Sequence, residues 1–126
     1  AADAAFRGGA LEEAIALYSG LLEEKTDDLA LLSCRSAAHL RAGHLADVEE
    51  DCDAALGFRD AGGTSTIPQR TQLKLLLRRA EARLRSGRPR AARADVVAAE
   101  AFVSNEQEAH ALRLMQDQLA ANVRVI

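Results

Sequence analysis

Apolar positions recur along the chain at helical spacing, in blocks that follow glycines at regular intervals. Gly9, Gly43 and Gly87 mark corresponding points, which are 34 and then 44 residues apart. After each glycine the pattern places side chains at i, i+3, i+4, i+7 and i+11, which is the spacing of one helix face. The three copies read Leu11, Ala14, Ile15, Tyr18 and Leu22, then Leu45, Val48, Glu49, Cys52 and Leu56, then Pro89, Ala92, Arg93, Val96 and Glu100. The chain therefore repeats one unit, with an insertion of ten residues before the third copy.

Each copy divides into two helical segments joined by a turn at its glycine. The predicted helices cover residues 1–8, 11–24, 29–41, 45–57, 73–85 and 90–102. A last amphipathic helix is indicated by Leu112, Met115, Leu119 and Val123, which fall at i, i+3, i+7 and i+11. Repeat arrays expose an apolar edge unless a terminal element covers it. We therefore interpret the last helix as a cap, with a dimerisation or docking helix as the alternative.

Polar residues at the segment boundaries predict how the helices begin. Asp27 or Asp28 can cap the helix that follows, because a short carboxylate accepts from the free amides of the first turn. Pro89 falls at the first position of its helix, where proline is tolerated. Ser104 and Gln107 have the spacing of a capping box and predict the start of the last helix.

A period of 34 residues built from two helices is typical of tetratricopeptide arrays. Residues 6–18, FRGGALEEAIALY, resemble the tetratricopeptide phrase F-x-x-G-x-Y-x-x-A-I-x-x-Y, and residues 33–40, SCRSAAHL, resemble the S-N-R-A-A-x-x-L of its chaperone-binding branch. The resemblance implies an all-α fold of three helix-turn-helix repeats in a right-handed superhelical stack with a C-terminal capping helix. We divide this single domain into a truncated first repeat (1–28), a second repeat (29–62), an insert (63–72), a third repeat (73–103) and the capping helix (104–123). The insert is expected to be a solvated connection, with a lengthened helix or a partner contact as alternatives.

Composition agrees with a single helical domain. The chain has 126 residues, of which 48% are hydrophobic and only 3% aromatic, so the core consists of Ala, Leu and Val. Cys34 and Cys52 lack zinc-site spacing, and we interpret them as reduced thiols, which favours the cytoplasm. No run of 18 apolar residues and no signal peptide is visible. The incomplete first repeat is expected for a fragment of a larger protein.

The resemblance also implies a concave groove lined by the first helix of each repeat. Counting the family's groove positions along this chain gives five basic and two acidic residues, which are Arg7, Arg41, Lys74, Arg78 and Arg85, and Asp3 and Glu81. Their net charge is +3, whereas the whole chain carries −3. A concave wall of one sign focuses its field on the opening. The groove is therefore suited to an acidic ligand, and Leu40, Leu77 and Leu84 either hold its apolar side chains or pack inside.

Lys74 and Arg78 are four residues apart on one predicted helix, so they point the same way. In the chaperone-binding branch, a lysine and an arginine at these places form part of a carboxylate clamp for the acidic C-terminal tail of a heat-shock chaperone. The family has asparagine at the places of Asp3 and Cys34. A carboxylate at position 3 repels a ligand carboxylate, and the Cys34 thiol is a weak donor. The resemblance therefore supplies half a clamp, and the alternative is that both basic side chains are merely solvated.

Other functions find less support in the sequence. Seven arginines lie within residues 78–93, but they surround two helices and a turn and have no aromatic platform for stacking bases, so nucleic-acid binding is not expected. We interpret His39, His44 and His110 as structural, and the acidic run 47–53 as a solvated outer face. No catalytic motif, cofactor site or metal site is recognised.

These observations predict an adaptor that binds an acidic peptide, with the tail of a heat-shock chaperone as the leading partner and no membrane contact. The long connection and the K-x-x-x-R-R of residues 74–79 also resemble the dynein-assembly co-chaperones that carry such a domain at their C-terminus. The alternative is a structural scaffold within a multiprotein assembly, with no working clamp. Lys74 and Arg78 favour the first interpretation, and Asp3 and Cys34 favour the second.

Overall fold

The computed structural model describes residues 2–58 and 61–124, with side chains described as far as residue 121. The described residues form seven α-helices and no β-strand. These helices are α1 Ala2–Arg7, α2 Leu11–Glu24, α3 Leu29–Ala42, α4 Leu45–Leu56, α5 Gln69–Arg85, α6 Pro89–Ala99 and α7 Glu106–Arg124, with a short 3-10 helix at Glu100–Phe102. The predicted all-α fold is confirmed.

The chain divides into two compact units, Ala1–Ile67 and Pro68–Ile126. In the first unit α1 packs on α2, α2 on α3 and α3 on α4. In the second unit α5 packs on α6, and α7 packs on both of them. Packing between helices that follow each other in sequence is the arrangement that a helical repeat requires.

Small side chains fill much of the space between the helices. Ala14, Ala38 and Ala55 in the first unit, and Ala80 and Ala92 in the second, have no exposed surface. Alanine brings helix axes close together and fixes them without loss of side-chain entropy. The low aromatic content of the chain thus corresponds to close helix packing rather than to a weak core.

Several predicted boundaries are confirmed. Gly43 and Gly87 have φ of 83° and 80°, the left-handed conformation that glycine adopts without strain at the end of a helix. The backbone amide of Leu31 donates to Oδ1 of Asp28 at 3.0 Å, so Asp28 caps α3. Pro89 is the first residue of α6.

Two helix starts differ from the prediction. Helix α5 begins at Gln69 rather than near Leu73, because Pro68 can precede a helix and its carbonyl accepts from the Gln72 amide at 2.9 Å. The last four residues of the predicted insert are therefore helical.

The predicted capping box of Ser104 and Gln107 is wrong by one residue. The amide of Glu108 donates to Oδ1 of Asn105 at 2.8 Å, which makes Asn105 the cap of α7. The Glu108 carboxylate accepts from the amide and the hydroxyl of Ser104, both at 2.9 Å.

Helix α7 packs through its predicted apolar face. Leu112, Met115 and Leu119 are buried, and the side chain of Val123 lies outside the described residues. Among the helices that the structure describes, none combines the length and apolar character needed to span a bilayer.

Candidate functional site

Asp3 and Cys34 meet at the buried tyrosine of α2. The Tyr18 hydroxyl donates to Oδ1 of Asp3 at 2.6 Å, and the Cys34 thiol lies beside the same hydroxyl. The pKa of Tyr18 is raised far above its ordinary value, first because the ring is buried and then because of the bond to Asp3. The carboxylate that the sequence predicted to face a ligand is thus held in place by a tyrosine.

Arg41 joins the end of α3 to the end of α1. Its guanidinium lies 4.9 Å from the centroid of the Phe6 ring, and Nη1 donates to the Phe6 carbonyl oxygen at 3.3 Å. The carbonyl belongs to the last turn of α1, where backbone carbonyls lack partners within the helix. Arg41 is exposed, as is Arg7 on the same short helix. The first unit therefore presents two cations and one carboxylate among the predicted groove residues.

Three basic residues lie along one face of α5. Lys74 and Arg78 are one helical turn apart, and Arg70 lies one turn before Lys74. Arg70 and Lys74 are exposed and Arg78 is half-buried. The sequence prediction missed Arg70 because it placed this residue in the insert. Once α5 is known to begin at Gln69, the i, i+4, i+8 spacing reveals it.

Arg85, in the last turn of α5, has an acidic partner on its own helix. Its Nη1 lies 3.5 Å from Oε2 of Glu81, one turn earlier on the same helix. Both side chains are partly exposed, and such pairs contribute little to stability. Their charges cancel locally, so the net +3 of the predicted groove residues rests on Arg7, Arg41, Lys74 and Arg78 against Asp3.

A cleft of about 360 Å³ lies between α5 and α7 in the second unit. Its walls include Arg70, Lys74, Leu73, Leu77 and Glu108. Oε2 of Glu108 is 3.8 Å from Nε of Arg70. The pKa of Glu108 is lowered, first by the bond from the Ser104 amide, with a smaller contribution from the nearby Lys74. The cleft thus combines two exposed cations, one carboxylate and an apolar floor.

The structure is similar to the solved structure of the first TPR domain of Spaghetti (RPAP3), bound to the HSP90 peptide SRMEEVD. The TM-score is 0.73 at 23% sequence identity, and the alignment covers 94% of this chain and 87% of that one. The fold is that of a tetratricopeptide-repeat domain. The predicted tetratricopeptide fold is thus confirmed. No protein-family model and no curated protein sequence matches the chain.

A buried ion pair joins the two helices of the second tetratricopeptide repeat. Arg35 donates from Nε to Oδ2 of Asp51 at 2.8 Å and from Nη2 to Oδ1 at 2.6 Å, and its Nη1 donates to the Ser19 hydroxyl at 3.1 Å. The pKa of Arg35 is raised, chiefly by the bond to Asp51. Only 4% of the Asp51 side chain is exposed. The interpretation of the run 47–53 as a solvated outer face is therefore wrong for Asp51.

The third tetratricopeptide repeat has the same ion pair 44 residues later. Arg79 donates to both oxygens of Asp95, from Nε at 3.1 Å and from Nη2 at 2.6 Å. A second arginine, Arg83, donates to Oδ2 at 3.0 Å. Two of the seven clustered arginines are thus committed to a buried carboxylate, which orients α5 on α6. The shift of 44 residues that aligns the glycines also aligns these pairs, and this signal was present in the sequence.

Two histidines come together at the turn of the second tetratricopeptide repeat. Nδ1 of His39 lies 3.1 Å from Nδ1 of His44, and Asp47 lies beside them. The sequence interpretation treated these histidines separately because one belongs to a helix and the other to a turn. His110, on α7, is exposed.

Proposed function

We propose that this domain is a non-enzymatic interaction module that binds an acidic peptide, with the C-terminal tail of a heat-shock chaperone as the leading partner. The observation that carries the proposal is the basic face of α5, formed by Arg70, Lys74 and Arg78. Two of its cations, Arg70 and Lys74, line the adjacent cleft together with Leu73 and Leu77, so a peptide can place carboxylates and an aliphatic side chain there. A cytoplasmic location goes with this proposal.

The spacing of the three cations suits acidic groups at alternate residues of an extended peptide. One helical turn separates neighbouring cations by about 6 Å, so the outer two are about 12 Å apart. An extended chain advances about 3.3 Å per residue, so about four residues match this length. The peptide SRMEEVD of the similar structure has three acidic residues within its last four. Arg78, which is half-buried, is the cation whose bond to a carboxylate is screened least by water.

The alternative function is a structural scaffold without a working clamp, and two carboxylates favour it. Glu108 already lies against Arg70 and close to Lys74. A peptide carboxylate therefore has to displace the Glu108 carboxylate or share these two cations with it. Asp3 is fixed by the Tyr18 hydroxyl and keeps a negative charge on the predicted peptide surface of the first unit. The assignment to the dynein-assembly co-chaperones stays a prediction.

Calorimetric titration of the domain with SRMEEVD distinguishes the two functions. The peptide is used with a free and with an amidated C-terminus, at low and at moderate salt. We expect binding that requires the free carboxylate and weakens with salt, because exposed charges are screened. Arg78→Ala removes a partly desolvated partner and is expected to cost about 2–5 kcal/mol. Lys74→Ala is expected to cost less, because its ammonium group is exposed.

The chain offers matched controls for both variants. Lys25 is its only other lysine, and Arg90 is an exposed arginine on α6. Lys25→Ala and Arg90→Ala are expected to bind as the parent does. An absence of binding heat with folded protein, or equal weakening by all four variants, refutes the clamp and leaves the scaffold.

A further inference from the structure

The histidine pair of the first unit lies beside a carboxylate, in an arrangement that resembles a metal site and does not involve the proposed peptide-binding residues. His39 lies in the last turn of α3, His44 in the turn that follows, and Asp47 in the first turn of α4. A ring nitrogen of each histidine and a carboxylate oxygen of Asp47 lie within 4.8 Å of one another. Oδ2 of Asp47 is 4.0 Å from Nδ1 of His39.

These separations are close to those of a tetrahedral zinc site. Zinc binds imidazole nitrogen at about 2.0–2.1 Å, so two nitrogen ligands at the tetrahedral angle are about 3.3 Å apart. The two Nδ1 atoms are 3.1 Å apart. Oδ2 of Asp47 is about 0.7 Å farther from Nδ1 of His39 than this spacing requires, and the Asp47 side chain is 56% exposed, so a change of rotamer can close the gap.

The other nitrogen of each ring faces a carboxylate. Nε2 of His44 lies 3.2 Å from Oε1 of Glu12, and Nε2 of His39 lies 3.9 Å from Oδ2 of the buried Asp51. A histidine that binds a metal usually donates its second N–H to a carboxylate, which fixes the tautomer. In the tautomer with both protons at Nε2, each Nδ1 presents a lone pair towards the other. A cation between the rings resolves this repulsion.

We propose that His39, His44 and Asp47 bind a divalent transition-metal ion, with zinc as the ion that this ligand set suits best. Two imidazoles and one carboxylate are a borderline-soft set of the kind that zinc accepts, and three protein ligands leave the fourth position to water. The His39 side chain is 10% exposed and that of His44 35%, so the site is anchored on one side and open on the other. A bound ion links the end of α3 to the start of α4.

Cobalt(II) is the probe for this site, because its visible absorption reports tetrahedral coordination. Titration of the full chain is expected to give visible bands at one equivalent, without the thiolate-to-metal charge-transfer band that Cys34 or Cys52 would produce. Zinc is expected to displace the cobalt and to raise the Tm of the protein.

Variants separate the ligands from their surroundings. His44→Ala and Asp47→Asn alter partly exposed positions and are expected to abolish the cobalt bands, whereas Glu12→Gln is expected to weaken binding by about 10–100-fold. His110→Ala is the matched control and is expected to bind as the parent does. The absence of cobalt bands and of a zinc-dependent Tm in the parent overturns the proposal and leaves a hydrogen bond between two histidines. Unchanged binding in His44→Ala, or a thiolate band, overturns it as well.

Discussion

Arg35 of the second repeat and Arg79 of the third occupy equivalent positions and each join two helices. Replacing them is nevertheless expected to destabilise the two repeats unequally. Arg35→Leu leaves Asp51 buried, with 4% of its side chain exposed. Another nitrogen near Asp51 is Nε2 of His39, at 3.9 Å from Oδ2. Burial lowers the pKa of His39 more than the nearby carboxylates raise it, so the ring is neutral near pH 7. Breaking a buried pair in this way costs about 3–5 kcal/mol.

Arg79→Leu is expected to cost less, because Asp95 retains a charged donor. Nη1 of Arg83 stays 3.0 Å from Oδ2 of Asp95. The loss is then closer to that of charge-assisted hydrogen bonds, about 1.5–3 kcal/mol. The midpoints of these two ranges differ by about 2 kcal/mol, which is a measurable part of the stability of about 6–19 kcal/mol expected for a domain of this length.

Urea denaturation followed by far-ultraviolet circular dichroism measures the total cost, and hydrogen exchange in residues 29–56 and 69–99 assigns it to a unit. Arg90→Leu, at an exposed position of α6, is the control and is expected to change stability by less than about 0.5 kcal/mol. Adding Arg83→Leu to Arg79→Leu is expected to raise the cost to that of Arg35→Leu. A cost for Arg79→Leu that equals or exceeds that of Arg35→Leu refutes the reasoning.

Three further predictions concern single side chains. Tyr18 is the only tyrosine and tryptophan is absent, so phenolate absorbance reports on this side chain alone. Its raised pKa stabilises the fold below pH 10, and this contribution is lost as the pH rises further. Phenolate absorbance should therefore appear only as the protein unfolds, and ionisation of the folded protein contradicts this. Asp3→Asn keeps an acceptor for that hydroxyl and removes a charge, so calorimetry should show acidic peptide binding tightened by up to about 1 kcal/mol; weaker binding contradicts it. Asn105→Ala should cost about 1 kcal/mol in urea denaturation, and Gln107→Ala should cost less; the reverse order favours the capping box that the sequence suggested.

The helices were predictable because their signals are local. Apolar spacing and the turn glycines depend only on residues within a few positions of each other, and Asp28 and Pro89 act within one turn. The start of α7 shows the limit of such signals. Ser104 and Asn105 are both good caps, and only the structure shows that Asn105 is the one used.

The polar contacts of the site could not be predicted from local pattern. Asp51 lies in an acidic run, and its burial depends on Arg35, 16 residues earlier. The bond between Asp3 and Tyr18 spans 15 residues. Periodicity assigns a residue to a helix face but does not say which charged residue has a partner there. Comparison of the copies at the shift of 44 residues supplies that information for the arginine and aspartate pairs, because both partners recur together.

The same comparison explains why the histidine pair occurs in one repeat alone. At the shift of 44 residues, His39 of the second copy corresponds to Arg83 of the third. The arginine gives Asp95 a second charged donor, but it has a permanent charge and offers no lone pair to a metal ion. The imidazole directs one nitrogen to Asp51 and leaves the other facing His44. The second copy therefore lacks the additional ion pair, and the same position gains a nitrogen that can bind a metal.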